Sequence, residues 1–350
     1  MSGADPATRA GTSAGTTTGL ATGTGTSTDV GARDRTGPRA LVVGEALVDV
    51  VRRTDGTVDE HPGGSPANVA LGLARLGRPV ELLTWVGTDD RGRAVREHLE
   101  SAGVRLSPGS DGARATSVAT ATLDGDGAAT YTFDLDWQVP SDHAVDLGDV
   151  VAVHSSTIGA ALEPGGTDVL RLLAEARVDA TITYDPNIRP DLLGDPQAAR
   201  DLVERLVVLA DVVKVSDEDL AWLAPGVEPR DVALRWASRG PALVVVTRGG
   251  EGALAVTAGG VELTVTAPRV QVADTVGAGD SFMSGLLDGL WSAGLLGASH
   301  RIALGGAGSE VLGPVLERCA RIAAITVSRP GANPPRADEL DDDTGDPVTA

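Results

Sequence analysis

The chain has 350 residues, 42% of them hydrophobic but only 3% aromatic, so a large core must be built mainly from Ala, Val and Leu. Its formal net charge is −20 and Lys214 is its only lysine, which argues against a nucleic-acid or anionic-membrane partner and makes any phosphate-handling site a local one. The single cysteine, Cys319, excludes an intrachain disulfide and fits a reducing, cytoplasmic compartment; no apolar run spans a membrane and the N-terminus carries no signal-peptide pattern.

Residues 1–37 are mostly Gly, Thr, Ala and Ser, too polar to offset the entropy of ordering, and read as a disordered extension. Ala40–Gly44 suits a buried strand. Ser65–Leu76 reads as a helix, with Ser65 as N-cap, Pro66 at N1 and Gly77 as the C′ residue. Glu81–Val86 is a predicted strand and Asp89–Ser101 a helix. Short apolar strands follow at Val150–Val153, Thr181–Tyr184, Val212–Val215 and Leu243–Thr247, with helices near 163–176, 197–209 and 230–238 between them. This alternation is that of an α/β protein with a mostly parallel sheet covered on both faces. Two hairpins interrupt it: Val118–Asp134, around Asp124-Gly125-Asp126-Gly127, and Ala253–Thr266, turning at Gly259-Gly260. The first suits a small antiparallel lid. The acidic end, from Asp341 onward, reads as a solvated tail, and Cys319 as a buried filler in a C-terminal helix.

Three segments carry chemistry. In Asp274-Thr-Val-Gly277-Ala278-Gly279-Asp280 a glycine-rich turn leads into a helix whose apolar face includes Phe282, Met283, Leu286 and Leu290. A helix start offers unpaired N–H groups and the positive end of the dipole, so charge on a transferring phosphoryl group can be held there without a lysine. Asp280, in the first turn, is placed to take a proton from an attacking hydroxyl, or simply to favour the helix start. In Pro62-Gly63-Gly64-Ser65-Pro66-Ala67-Asn68 the glycines admit a ligand to the backbone and Asn68 can bond hydroxyls as donor and acceptor. In Gly44-Glu45-Ala46-Leu47-Val48-Asp49, just past the first strand, the carboxylates lie near an expected switch point, but Glu45 reads as a solvated loop residue.

Gly63-Gly64 with Asn68, and Asp274-Thr275 with Gly277-Ala278-Gly279-Asp280, resemble the two signatures of the ribokinase-like (PfkB) sugar kinases. Landmarks in the same order include Val86–Gly92, Asp185–Arg189, Thr247–Gly252 and Arg329–Pro335. The resemblance implies a three-layer α/β/α fold with a small β-sheet lid (about 50–62 and 112–138) in a kinase domain over 38–335, followed by the acidic tail 336–350. It implies an ATP-dependent kinase with Asp280 as base and Gly277, Ala278 and Gly279 as anion hole. Asp49, Gly63, Gly64, Asn68 and Arg189 match sugar-contacting positions. Lys214, Ser216, Thr247, Gly249, Gly252, Gly277, Gly279, Ala332 and Asn333 match the ATP site. Ser216 and Asp219 stand where many members carry Asn-x-x-Glu, so Asp219 would hold a magnesium-bound water. A monovalent cation such as K⁺ is implied near Asp274, unless Asp274 only caps the turn.

Gly44–Asp49 together with Pro62–Asn68 is most similar to fructokinases; kinases for keto-deoxygluconate, ribose or nucleosides, and a non-catalytic sugar-binding regulator, are the alternatives. Tyr131, Phe133 and Trp137 suit shielding of the sugar, lid packing or a homodimer contact through the lid.

Overall fold

The computed structural model describes residues 37–124, 129–140 and 145–341. The N-terminal extension (except Gly37), the tip of the first hairpin at 125–128 and the tail from 342 lie outside the described residues. In chain order the elements are β1 (Arg39–Val43), β2 (Leu47–Arg52), β3 (Val58–Gly63), α1 (Ser65–Arg75), β4 (Val80–Leu83), α2 (Asp90–Ser101), β5 (Arg105–Leu106), β6 (Val118–Leu123), β7 (Ala129–Asp134) and β8 (Val150–Ser156). There follow α3 (Thr157–Ala161), α4 (Gly165–Ala176), β9 (Thr181–Asp185), α5 (Pro190–Leu193), α6 (Pro196–Leu209), β10 (Val212–Ser216), α7 (Asp217–Leu223), α8 (Pro229–Ala237) and β11 (Leu243–Thr247). The chain closes with β12 (Ala253–Thr257), β13 (Glu262–Val265), α9 (Ala278–Ser292), α10 (Arg301–Gly305), α11 (Ser309–Val327) and α12 (Ala337–Asp341).

Nine strands form the main sheet in the order β13-β12-β11-β10-β9-β8-β1-β4-β5. All neighbours are parallel except β11/β12 and β12/β13, the predicted second hairpin. Because a strand presents alternate residues to opposite faces, β1 feeds two cores: Ala40 and Val42 join one cluster, Leu41 and Val43 the other. In β11, Leu243 and Val245 likewise face one core and Val244 and Val246 the other. Residues of α1, α2, α9 and α11 fill the first core; α4, α6 and α8 fill the second. Each fully buried Val or Leu contributes about 1.5–3 kcal/mol, so many small side chains replace the few large aromatic ones. Cys319 is buried in α11 within the first core, as expected, and burial pushes its thiol well above the ordinary range.

The second sheet has four strands in the order β3-β2-β6-β7. It is not purely antiparallel: β2 pairs antiparallel with β3 but parallel with β6. Its first strand starts at Leu47, three residues before the expected lid boundary, because Leu47 and Val48 pair with Gly63 and Pro62.

Three further local expectations are corrected. Ser65 is the first helical residue of α1 and Gly64 is the N-cap, so no side chain caps this end; Gly77 does close the helix, with φ 85° and its N–H on Ala74. The strand predicted to reach Val86 ends at Leu83. The tail predicted from 336 is helical over Ala337–Asp341 and packs Leu340 against Leu76 and Ile322, because one apolar residue in an acidic stretch finds a hydrophobic slot.

Candidate active site

Strand order reverses at β1: the chain leaves it for β4 on one side and returns through β8 on the other. Ligands of open α/β sheets bind at such a switch point, beyond the carboxyl ends of the strands. Gly44 and Glu45 follow β1 there, and Ser156 ends β8.

The Asp274–Asp280 turn approaches from α9. Gly277 is its N-cap in the left-handed region, φ 74°, where glycine carries no steric penalty. A side chain at this position would also strike Ala332, 2.6 Å away, so glycine lets the 329–335 loop close over the turn. Ser281 N–H bonds Gly277 O at 2.8 Å, starting the helix. The Ala278 N–H points back to Thr275 O at 3.3 Å, whereas those of Gly277, Gly279 and Asp280 have no protein acceptor among the described residues. Open amides at a helix start suit an oxyanion.

The Asp280 carboxylate is held on both oxygens. Oδ1 accepts from Ser65 Oγ at 2.7 Å and Oδ2 from Asn68 Nδ2 at 2.8 Å. Both donors belong to the first turn of α1, so the two signature segments meet in space although about 210 residues apart in sequence. Asp49, on β2, lies against Gly63: a methyl at Gly63 would fall 2.0 Å from Asp49 Oδ2. Burial pushes the Asp49 carboxyl up to about 6, Arg189 pulling it down and Asp280 adding to the rise.

Glu45 is not the solvated residue expected from sequence. It is 4% exposed, packed where β1 meets α3, and among the described residues its Oε2 has no hydrogen-bond partner. A side chain at Gly159 would come within 3.7 Å of both that oxygen and the Trp137 ring. Burial pushes the Glu45 carboxyl up to about 7; its own N–H, Arg189 and the Ser65 N–H oppose the rise, and Asp280 reinforces it. Arg189 thus opposes the rise of two acids, Glu45 and Asp49; its Nη1 bonds Ile188 O at 2.9 Å.

Behind the turn sits a buried ion pair. Lys214 Nζ lies 2.5 Å from Asp185 Oδ2, with side chains 4% and 1% exposed. A β-carbon on Gly279 would fall 3.0 Å from that ammonium, so Lys214 stands directly beneath the α9 start. Burial pushes Asp185 upward and Lys214 pulls it back. Ser216 caps α7: its Oγ accepts from Asp219 N–H and donates to Asp219 Oδ2 at 2.7 Å. Asp219 Oδ1 accepts from Ile188 N–H at 2.8 Å, tying this acid to the Asp185–Arg189 loop.

The predicted nucleotide residues fall on two loops. Thr247 ends β11, with its hydroxyl 3.4 Å from Val215 O, and Gly249 and Gly252 flank a short turn with φ of 49° and 99°. Ala332 meets Gly277, as above, and Asn333 Oδ1 accepts from Arg75 of α1 at 2.6 Å. Asp274 caps its turn, Oδ1 taking Val276 N–H at 3.0 Å and Oδ2 taking Gly331 N–H at 2.9 Å. Trp137 is 3% exposed and donates to Gly159 O at 2.7 Å, so its ring is packed against the start of α3. Tyr131 is exposed and stacks on Phe133. By register both lie on the same face of the lid as Asp49.

Sequence reasoning missed Glu45 as a buried acid, Ser65 as a partner of Asp280 and Asp185 as the partner of Lys214. Only the last had a visible signal, since a lone lysine in a strand needs a buried counter-charge.

A three-layer α/β/α body with a small lid sheet, bearing an acid at a glycine-led helix start, has the architecture of the ribokinase-like sugar kinases. The chain belongs to the pfkB carbohydrate kinase family, which its residues 38–339 match. It is 37% identical to a fructokinase from Klebsiella pneumoniae over 266 residues, covering 73% of this chain and 85% of that one. An aminoimidazole riboside kinase from Salmonella enterica, solved with aminoimidazole riboside and an ATP analogue, superposes with TM-score 0.69 at 26% identity, covering 87% and 99% of the two chains. A fructokinase double mutant from Vibrio cholerae, solved with fructose, ADP and potassium ion, superposes with TM-score 0.67 at 27% identity, covering 84% and 94%. The chain is an ATP-dependent carbohydrate kinase. Among the described residues no helix is long and apolar enough to cross a membrane.

Proposed function

We propose that this kinase phosphorylates fructose, with Asp280 as general base. The observation that carries the reading is the Asp280 carboxylate, fixed by Ser65 and Asn68 at the start of α9 beside amides that have no protein acceptor among the described residues. Fructose is favoured by the similarity to the Klebsiella fructokinase and by the Vibrio cholerae enzyme's fructose-bound form.

The reaction is an in-line displacement. As the sugar oxygen bonds to the γ-phosphorus of ATP, its proton passes to Asp280; the bond to the bridging oxygen breaks and ADP leaves. The Gly277–Gly279 turn, with Lys214 beneath it, faces the growing negative charge. Asp49, Gly63, Gly64, Asn68 and Arg189 hold the sugar. Thr247, Gly249, Gly252, Ala332 and Asn333 hold the nucleotide, with Ser216 shaping the loop between them.

A divalent ion, Mg²⁺ in this reading, would neutralise the phosphates. Asp219 fits it through water only: both its oxygens already accept a hydrogen bond, and among the described residues no three metal-ligating side chains converge. The two hydrogen bonds on Asp274 leave lone pairs for a monovalent cation, and potassium is present in the Vibrio cholerae relative. Pairing of two copies through the lid would cover Tyr131 and Phe133. The kinase unit spans 38–341, with the lid over Leu47–Gly63 and about 112–138.

A second reading, phosphorylation of a riboside, is supported by the likeness to the Salmonella enzyme. An ADP-release assay with fructose, ribose, keto-deoxygluconate, aminoimidazole riboside and adenosine separates them. Turnover highest on fructose is expected; a clear preference for a riboside would overturn the assignment. Asp280→Asn should lower kcat by about three orders of magnitude with the sugar KM little changed, and full turnover in that variant would exclude the mechanism.

A further inference from the structure

The contact between Ser65 and Asp280 joins two segments that serve separate purposes in the proposed site. Asp280 has two oxygens and one task, to receive a proton along the line of the attacking hydroxyl. A carboxylate anchored on one oxygen alone can rotate about its last torsion, whose energy profile is broad. Here Oδ1 is fixed by Ser65 at 2.7 Å and Oδ2 by Asn68 at 2.8 Å. Each oxygen keeps a second acceptor direction open for the substrate proton.

Ser65 is itself held rigidly. It is 6% exposed, it precedes Pro66, and it follows Gly64 at φ 102°. A side chain at Gly64 would strike Glu45 O at 2.6 Å, and one at Gly44 would strike Pro66 at 2.4 Å, so β1's end and the α1 start press together. The hydroxyl thus comes from a point that cannot move independently of the switch-point loop.

We propose that Ser65 is a positioning residue: it holds Asp280 in the rotamer that points at the acceptor hydroxyl, leaving Asn68 free to exchange part of its bonding to the sugar. This rests on Asp280 being the base. A structural alternative exists, in which the hydroxyl merely ties α1 to α9, and the two differ in what a variant changes.

The test is Ser65→Ala, assayed with fructose and ATP, alone and in an Asp280→Asn background. If Ser65 acts through Asp280, kcat falls about tenfold or more, the value for losing a hydrogen bond to a charged group, while fructose KM stays within about threefold. In the Asp280→Asn background the same change then has no further effect on the residual rate, because its target is gone. Unchanged kcat in Ser65→Ala, or an equal loss in both backgrounds, overturns the proposal. Should Ser65→Ala not fold, Ser65→Cys, which keeps the volume and weakens the donor, is judged by the same two criteria. The outcome is separable from the role proposed for Asp280, which fails if Asp280→Asn itself retains full turnover.

Discussion

At the residue scale the most consequential side chain after Asp280 is Lys214. It is the only lysine of the chain, and it is spent on a buried pair with Asp185 at 2.5 Å. Asp185 Oδ1 has no hydrogen-bond partner among the described residues, so there the pair is satisfied on one side only. Removing the ammonium would leave an uncompensated carboxylate in the sheet. Lys214→Met should therefore lose about 3–5 kcal/mol of stability, and adding Asp185→Asn should restore most of it. Urea denaturation midpoints of the two variants decide this; equal midpoints for wild type and Lys214→Met would show that the pair contributes nothing.

At the element scale, α9 begins with the small residues Ala278 and Gly279, beside the buried Lys214. Gly279 is helical and would gain intrinsic helix propensity as alanine. Yet the added methyl would sit 3.0 Å from Lys214 Nζ, which Asp185 holds in place beneath the proposed anion site. Gly279→Ala is thus expected to lower kcat/KM for ATP by about 10²-fold with no loss of melting temperature; joint loss of both would mean that the glycine serves packing. The elements themselves differ in how far they were legible. β8 to β11 are short segments rich in Val, Ile and Leu between helices, buried along nearly their whole length, the pattern of a sheet covered on both faces. β3 is hidden, since Val58–Gly63 carries three polar residues and a proline, which is tolerated because it is an edge strand. Ser65 looks like a cap because that reading is local, whereas its partner lies 215 residues away. Glu45 looks solvated because nothing adjacent in sequence announces Gly159 and Trp137.

For the whole molecule, these acids make stability a function of pH. Glu45 is raised from its ordinary value of 4.5 to about 7, Asp49 from 3.8 to about 6, and Asp185 moves the same way, each chiefly through burial. A carboxyl whose folded value is raised binds its proton more tightly in the folded chain. Its contribution is fully present below the unfolded value and is lost as pH rises through the folded one. Between about pH 4.5 and 7 the Glu45 term alone therefore works against the fold, by an amount on the order of 1–3 kcal/mol. Self-repulsion from a net charge of −20 at pH 7 acts in the same direction. Glu45→Gln removes the charge while keeping the shape, so its stability gain over wild type should be small at pH 5 and grow towards pH 8. Denaturation midpoints of the two proteins at both values test this, and a gain that is the same at pH 5 and pH 8 would show that Glu45 does not titrate in this range.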